Sequence, residues 1–347
     1  MSVSSVFKEF CNNLMILESE KIIIYRRFSC ICKVLNMKYW NLKSGYGGMF
    51  IGAFGRKTAI KGNKVIKIMY IMPDTIRNKC FRHNSNPQLE FLIDVKKTIN
   101  QIYPNARINK DRQTIQVSFF DDMTIHIIPV FKNFEKFVYA DISLEGCWKV
   151  IDPVSEINAI SIGNKSTGLN FVRLCKMAHA WRINCSVPIK EKLLETLAYN
   201  FLFQWEGKYC SYNRYDIMCN NFFKYLKNLP SSQKKWEVLG SHQIIYNPEN
   251  FKDQVNLAYF NSKKAIDLEK NNKYCLARQK WRTVFGNEFD PLIMEKRIKK
   301  KYGELILNYI KNRNIKNLKH KNNIIMKLQI IFWICIVLST LIICWLC

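Results

Sequence analysis

A run of twenty residues without a charge, LQIIFWICIVLSTLIICWLC at 328–347, constrains this chain more than any other feature. Gln329, Ser339 and Thr340 are its only clearly polar positions. A helix of that length rises about 30 Å, the thickness of a bilayer's hydrocarbon core. It also lacks the polar stripe that a helix packed on a globular core keeps. The run is therefore expected to be a single C-terminal transmembrane helix. The stretch before it carries Lys296, Arg297, Lys299, Lys300, Lys301, Lys311, Arg313, Lys316, Lys319, Lys321 and Lys327, opposed only by Glu295 and Glu304. Lysines and arginines beside a span stay on the cytoplasmic side, so residues 1–327 are expected in the cytosol, with the basic segment 291–327 against acidic lipid heads.

The remainder must bury a core. Hydrophobic residues make up 48% and aromatics 13% of the 347 residues, which excludes a disordered chain. The formal net charge of +27 calls for anionic partners: nucleotide phosphates, nucleic acid or lipid heads. The thirteen cysteines are scattered, and no cleavable signal peptide opens the sequence, so they read as cytosolic thiols buried as small apolar groups. Zinc is the sharper alternative, at Cys30 with Cys32 or Cys80 with His83, although neither pair is a Cys-x-x-Cys knuckle.

Hydrophobic periodicity divides the soluble part in two. Helical spacing runs through the first forty residues in Phe7, Phe10, Cys11, Leu14, Leu17, Ile31, Val34 and Leu35. SGYGGMFIGAFGRKTAI (44–60) then reads as a strand feeding a glycine-rich turn. Val65–Met72 and Thr124–Val130 read as strands, with 114–119 as the hairpin partner of the second and 89–103 as a helix between them. From about Gly168 the period becomes helical, over 171–181, 189–203 and 215–229. The expected class is α+β: a mixed-sheet lobe with the N-terminal helix (1–165), a helical lobe (166–290), the basic segment (291–327) and the span (328–347).

A glycine-rich turn after a strand offers backbone N–H groups to phosphate oxygens. Here the turn GAFGRKTAI (52–60) precedes a strand closed by Pro73 and a later strand bearing IHIIP (125–129). In this order the chain resembles the bacterial cyclic-oligonucleotide synthases, the CD-NTases, relatives of cyclic GMP-AMP synthase and oligoadenylate synthase. The resemblance extends through FVRLCK (171–176) with Trp181, LLETL (193–197) and WRTVFGNEF (281–289), and so covers roughly residues 1–290. It implies a nucleotidyltransferase fold and phosphate contacts from Gly52, Ala53, Arg56, Lys57 and Lys176.

The departures from the family pattern point elsewhere than to synthesis. Family enzymes hold two magnesium ions on three aspartates, after a Gly-Ser turn. Here the serine position is Ala53, the Asp-x-Asp positions are Val65 and Lys67, and the third aspartate is His126, so no catalytic carboxylate is expected to be intact. A shift of register does not restore the first pair, because no Asp or Glu occurs between Glu20 and Asp74. On the later strand Asp122 lies roughly 13 Å short of His126 along an extended chain. A lysine at Lys67 would oppose a divalent ion by on the order of 8 kcal/mol, so magnesium is not expected as a cofactor. It could instead serve as a fixed cation for nucleotide phosphates. The bland readings are a hydrogen-bonded sheet histidine for His126, a solvent-directed chain for Lys67, and core aromatics for Tyr212 and Tyr215.

The function expected is that of a membrane-anchored, catalytically degenerate CD-NTase-like protein. It would bind a nucleotide or cyclic oligonucleotide as a sensor or regulator in antiviral signalling, through self-assembly or a partner signalling protein. Two alternatives stay open: an active nucleotidyltransferase using Asp74, Asp121 or Asp122, and an RNA- or protein-binding module on an inherited fold.

Overall fold

VIKIMYIM, β-branched and apolar with one lysine, is the stretch on which the sheet is built. The computed structural model describes residues 3–43, 47–80, 86–109, 111–143 and 145–289. Two helices, α1 (Val3–Asn13) and α2 (Glu18–Tyr39), lead into β1 (Gly48–Ile51), the single helical turn α3 (Gly52–Gly55) and β2 (Val65–Met72). Next come α4 (Asp74–Cys80), α5 (Pro87–Asn100), β3 (Arg107–Ile108), β4 (Ile115–Ser118), β5 (Thr124–Asn133), β6 (Lys136–Asp141) and β7 (Cys147–Ile151). The helical lobe follows: α6 (Pro153–Lys165), α7 (Asn170–Asn184), α8 (Glu191–Gln204), α9 (Tyr215–Asn228), the hairpin β8 (Lys235–Glu237) and β9 (Ile244–Tyr246), α10 (Lys252–Lys270) and α11 (Tyr274–Phe285).

The main sheet runs β1-β2-β5-β4-β3, and β6 shares an edge of β5 with β4 and carries β7. It is mixed, because β2 and β5 run parallel while β1–β2 and β4–β5 are antiparallel. Strand residues alternate faces. Ile66, Ile68, Ile125, Ile127, Ile115 and Val117 point to one side, where they are buried with Ile24, Ile31 and Leu35 of α2 and Leu92, Val95 and Ile99 of α5. On the other side Met69, Val130 and Phe137 form a smaller buried group with Ile51, and Val154 of α6 packs against it. That cover stops short of Val65, 41% exposed, and of Lys67, so this corner of the face stays open.

The helical lobe has its own core, rich in aromatics. Of the N-terminal helical stretch expected with the sheet, α2 packs there, and α1 packs here instead. Phe7 meets Trp281 edge-on at 5.3 Å, and Phe10 lies 4.9 Å from Phe285 and 5.0 Å from Phe289. These three rings belong to the WRTVFGNEF stretch, so that motif's structural work is to receive α1. The apolar run 328–347, the basic segment 291–327 and His83 lie outside the described residues. Among the described residues no helix is long and apolar enough to cross a membrane. No group of three or more metal-ligating side chains occurs among them either. Cys32 is buried, and burial raises the pKa of its thiol.

Two acids stand against the grain of this core. Asp216, at the start of α9, and Glu269, near the end of α10, each keep a buried carboxylate oxygen without a hydrogen-bond partner among the described residues. Burial, with the Asp216 charge behind it, lifts Glu269 from 4.5 to about 7. The folded state therefore takes up a proton that the unfolded chain has lost, and stability falls as pH rises from about 4.5 to 7, then levels. In thermal melts of the full chain in detergent, Glu269→Gln should raise Tm at pH 8 and flatten its dependence between pH 5 and 7. An unchanged slope would place the pH dependence elsewhere.

Candidate functional site

The open corner of the sheet gathers four of the residues singled out above, Gly52, Val65, Lys67 and His126. Gly52, which follows β1 and opens α3, lies in the left-handed region at φ +66°, a conformation that a side chain would strain. A Cβ placed there would lie 3.4–3.6 Å from the aliphatic carbons of Lys67, so the lysine stem rests on the glycine. In register, Ile51 pairs with Lys67, and Lys67 with His126 on the neighbouring parallel strand. Even-numbered β5 residues share a face with odd-numbered β2 residues, so Val65, Lys67, Thr124 and His126 stand together, with Gln116 of β4 beyond. The turn's shape has a steric cause at Gly55, where a Cβ would come within 2.3 Å of the Phe50 carbonyl oxygen.

Charge at this corner is one-sided. Lys67 has no carboxylate partner among the described residues. His126 is half-buried, its ring Nδ1 3.5 Å from Asn109 Nδ2. Burial and then the neighbouring Lys67 charge lower its pKa, against a smaller pull from Asp111. The imidazole is therefore neutral at physiological pH. Asp111 itself is engaged, accepting from the Gln113 and Thr114 backbone and from the Thr114 hydroxyl at 2.9–3.1 Å. Asp141, fully buried at the end of β6, is held by Gln113, Ser143 and Lys149.

This donor set does not fit a pair of divalent cations. An ammonium, an imidazole, an amide and a valine face the corner, where magnesium needs oxygen ligands. Of the acids considered as replacements, Asp121 and Asp74 are placed apart from it. Asp121 pairs at 3.0 Å with Arg27 of α2, on the covered side of the sheet. Asp122 takes a left-handed turn conformation at φ 62°. Asp74 begins α4, past the far end of β2.

Arg56 differs from expectation most. Its side chain is 3% exposed and bound to carboxylates, not open to a phosphate. Nε donates to Glu195 Oε2 at 2.6 Å and Nη1 to Glu156 Oε2 at 3.3 Å. Glu195 also accepts from the Thr58 hydroxyl at 2.5 Å, and His179 Nε2 stands 3.3 Å away. Glu156 accepts further from Lys192 at 2.6 Å and Ser241 at 3.2 Å. Burial alone would raise the Glu195 carboxyl, but the Arg56 charge and the His179 contact more than reverse it and hold it at about 2. This cluster fastens the glycine turn to α6, α7 and α8. Its signal in the sequence was an acid inside the apolar run LLETL, which has to find a cation when the run is buried.

The other expected phosphate contacts divide. Ala53 is buried and its carbonyl accepts the Thr58 and Ala59 N–H groups. Lys57 is exposed at φ 62°, directly after the helical turn. Lys176 lies on α7 with its ammonium 3.3 Å from Met15 Sδ and with no carboxylate partner among the described residues. Burial, followed by the nearby Lys21 charge, lowers its pKa. The turn reaches it indirectly, for Lys61 N donates to the Leu14 carbonyl beside Met15. Tyr215 is wholly buried and donates to Asn170, while the Tyr212 ring lies tilted against it with centroids 4.8 Å apart.

Residues 1–164 match the family model of the Second Messenger Oligonucleotide or Dinucleotide Synthetase domain, a span that includes the sheet lobe. Solved CD-NTases share the fold over a longer stretch. CdnG of Bradyrhizobium diazoefficiens, in complex with GTP, is similar at a TM-score of 0.58 and 9% identity, covering 83% of this chain and 96% of its own. CdnC of Escherichia coli, in complex with HORMA-deltaN, gives 0.56 and 16%, covering 83% and 98%. The 3'-deoxy GTP bound form of Escherichia coli DncV gives 0.55 and 15%, covering 70% and 69%. No curated protein sequence matches the chain. The likeness establishes an α+β nucleotidyltransferase-like fold related to the cyclic-oligonucleotide synthases.

Removing Glu195 should expose how much the turn depends on its anchor. Glu195→Ala leaves the Arg56 guanidinium buried with half its partners, a loss of about 3–5 kcal/mol, or roughly 10 °C in Tm. Thr58→Val should cost less, about 1–3 kcal/mol. Because the Glu195 pKa is depressed, its contribution is complete above about pH 4.5 and declines as pH falls toward 2. Thermal melts of both variants at pH 7 and pH 4 check the ranking and the sign.

Proposed function

We propose that this protein is a membrane-anchored CD-NTase-like sensor that holds a nucleotide or cyclic oligonucleotide without divalent metal. It would report occupancy in an antiviral signalling system rather than make the messenger. The observation that carries the reading is the seat of Lys67: its stem lies on Gly52 and its strand neighbour is His126, at positions where the family pattern has carboxylates. A fixed ammonium beside a glycine turn supplies the positive charge that a phosphate needs. It supplies none of the activation that phosphodiester synthesis requires. Two neighbours in fold are bound to guanine nucleotides and one is in complex with HORMA-deltaN, which supports a nucleotide ligand and a protein partner here.

The test is calorimetry of the full chain in detergent with ATP, GTP and cyclic oligonucleotides, in EDTA and again in magnesium. Binding should be unaltered by EDTA, and Lys67→Glu should weaken it at least about tenfold, the loss of a charge-assisted contact. No binding at high micromolar ligand would remove the sensor reading. A labelled product that Asp121→Asn or Asp122→Asn abolishes would establish an active enzyme instead.

The anchor is a separate expectation. The full chain should remain with membranes through a carbonate wash, and deletion of 328–347 should release it. Release of the full chain by salt alone would reduce the basic segment to a peripheral contact.

A further inference from the structure

On the helical lobe, away from the glycine turn, a second feature is built with care. The loop after α8 presents Tyr209 at 67% exposure and α8 ends with Phe203 at 40%. The Lys208 ammonium lies between them, 5.7 Å from the Phe203 ring centre and 5.5 Å from that of Tyr209. Tyr199 extends the row, 4.1 Å from Phe203 with the rings tilted by 33°. Exposed aromatic faces with a cation between them are costly to leave in water, where each ring would otherwise turn inward.

The exposure of Tyr209 does not come from a slack loop. Asn170, buried on α7, donates through Nδ2 to the carbonyls of Lys208 at 2.9 Å and Cys210 at 2.8 Å, one on each side of Tyr209. Tyr215 fixes that amide from behind, donating to Asn170 Oδ1 at 2.5 Å. Trp205 stacks on Phe201 at 5.6 Å and lies so close over Gly207 that a Cβ there would come within 2.5 Å of the indole. Gly168, at φ +57°, lies under the Tyr209 ring, where a Cβ would be 3.7 Å from Cδ1. The inner side of the loop is thus anchored by an indole and an amide, and the outer side shows rings.

We infer that this aromatic row is a stacking platform for single-stranded nucleic acid, with Lys208 as a phosphate contact. Bases supply flat faces for Tyr209 and Phe203, and the backbone supplies the anion that a chain of net charge +27 attracts. A second protein would need apolar area, and the row is interrupted by an ammonium. The acid within the loop is Glu206, exposed, and it should oppose binding. The inference goes beyond the nucleotide reading and uses none of the glycine-turn residues.

The test is fluorescence anisotropy with a labelled decauridylate and the full chain in detergent. Binding should fall as salt rises from about 50 to 250 mM. Tyr209→Ala should weaken it about tenfold, within the range that one stacked base contributes, while Tyr209→Phe retains it. Lys208→Glu should weaken it and reduce the salt slope by about one. Glu206→Gln should tighten it, and Phe120→Ala, at an isolated loop tip, should leave it unchanged. Lys67→Glu should also leave it unchanged, which separates this surface from the nucleotide reading. Equal binding by wild type and Tyr209→Ala would assign the affinity to the basic segment at 291–327 and overturn the platform. A dimer that Tyr209→Ala dissolves, without oligonucleotide binding, would overturn it in favour of a second copy.

Discussion

The seat of the glycine turn against the helical lobe depends on one buried guanidinium. Arg56 leaves the turn and enters the helical lobe, where Glu195 and Glu156 meet it at 2.6 and 3.3 Å. A charge taken this far from water would be prohibitive alone, so the arginine commits the turn to a single position against α6 and α8. Thr58, two residues on, repeats the attachment to Glu195, and His179 approaches the same carboxylate from α7. The sheet lobe and helical lobe therefore meet through a hydrogen-bonded ionic cluster as well as through apolar contact. A cluster of this kind is directional, which apolar packing is not, and it fixes where the open corner of the sheet faces.

The regular parts of this fold were legible because period and composition agree there. VIKIMYIM is a strand over the residues expected, and the expected hairpin of 114–119 with 124–130 is the β4–β5 pair. The helices at 171–181, 189–203 and 215–229 appear with ends displaced by a residue or a few. Other elements gave weaker signals. Exposed Leu257 and Phe260 blur the apolar stripe of α10, and β7 is short and half-exposed. The placement of α1 was illegible for another reason: its apolar face could pack on either lobe. The partner that decides it, the Trp281–Phe285–Phe289 ring group, lies at the far end of the described chain.

The site divides along a similar line. Lys67 and His126 could be placed side by side from the sequence, since strand pattern and order define both positions. Arg56 could not be assigned, because an arginine beside a glycine turn suits a phosphate and a carboxylate equally well. What distinguishes the two is whether a buried acid lies within reach, and that depends on how α8 lies across the turn. LLETL carried the information in one letter, Glu195, without saying which cation would answer it.

The cations of this protein then fall into two kinds with different consequences. Arg56, Lys192, Arg182 and Arg27 are answered by carboxylates within the described fold, so their charge serves the structure. Lys67, Lys57 and Lys176 have no carboxylate among the described residues, and they belong to the turn, the strand beside it and the helix reached through Leu14 and Met15. An excess of positive charge is common on protein surfaces. It carries more meaning when Lys176 is partly desolvated, since burial there makes the charged form harder to keep and an arriving anion restores it. The same reasoning applies at His126, whose neutral ring next to Lys67 would gain a proton more readily once a phosphate entered the corner. Anion binding and protonation would thus favour each other at this site, a coupling that metal ions in the same place would reverse.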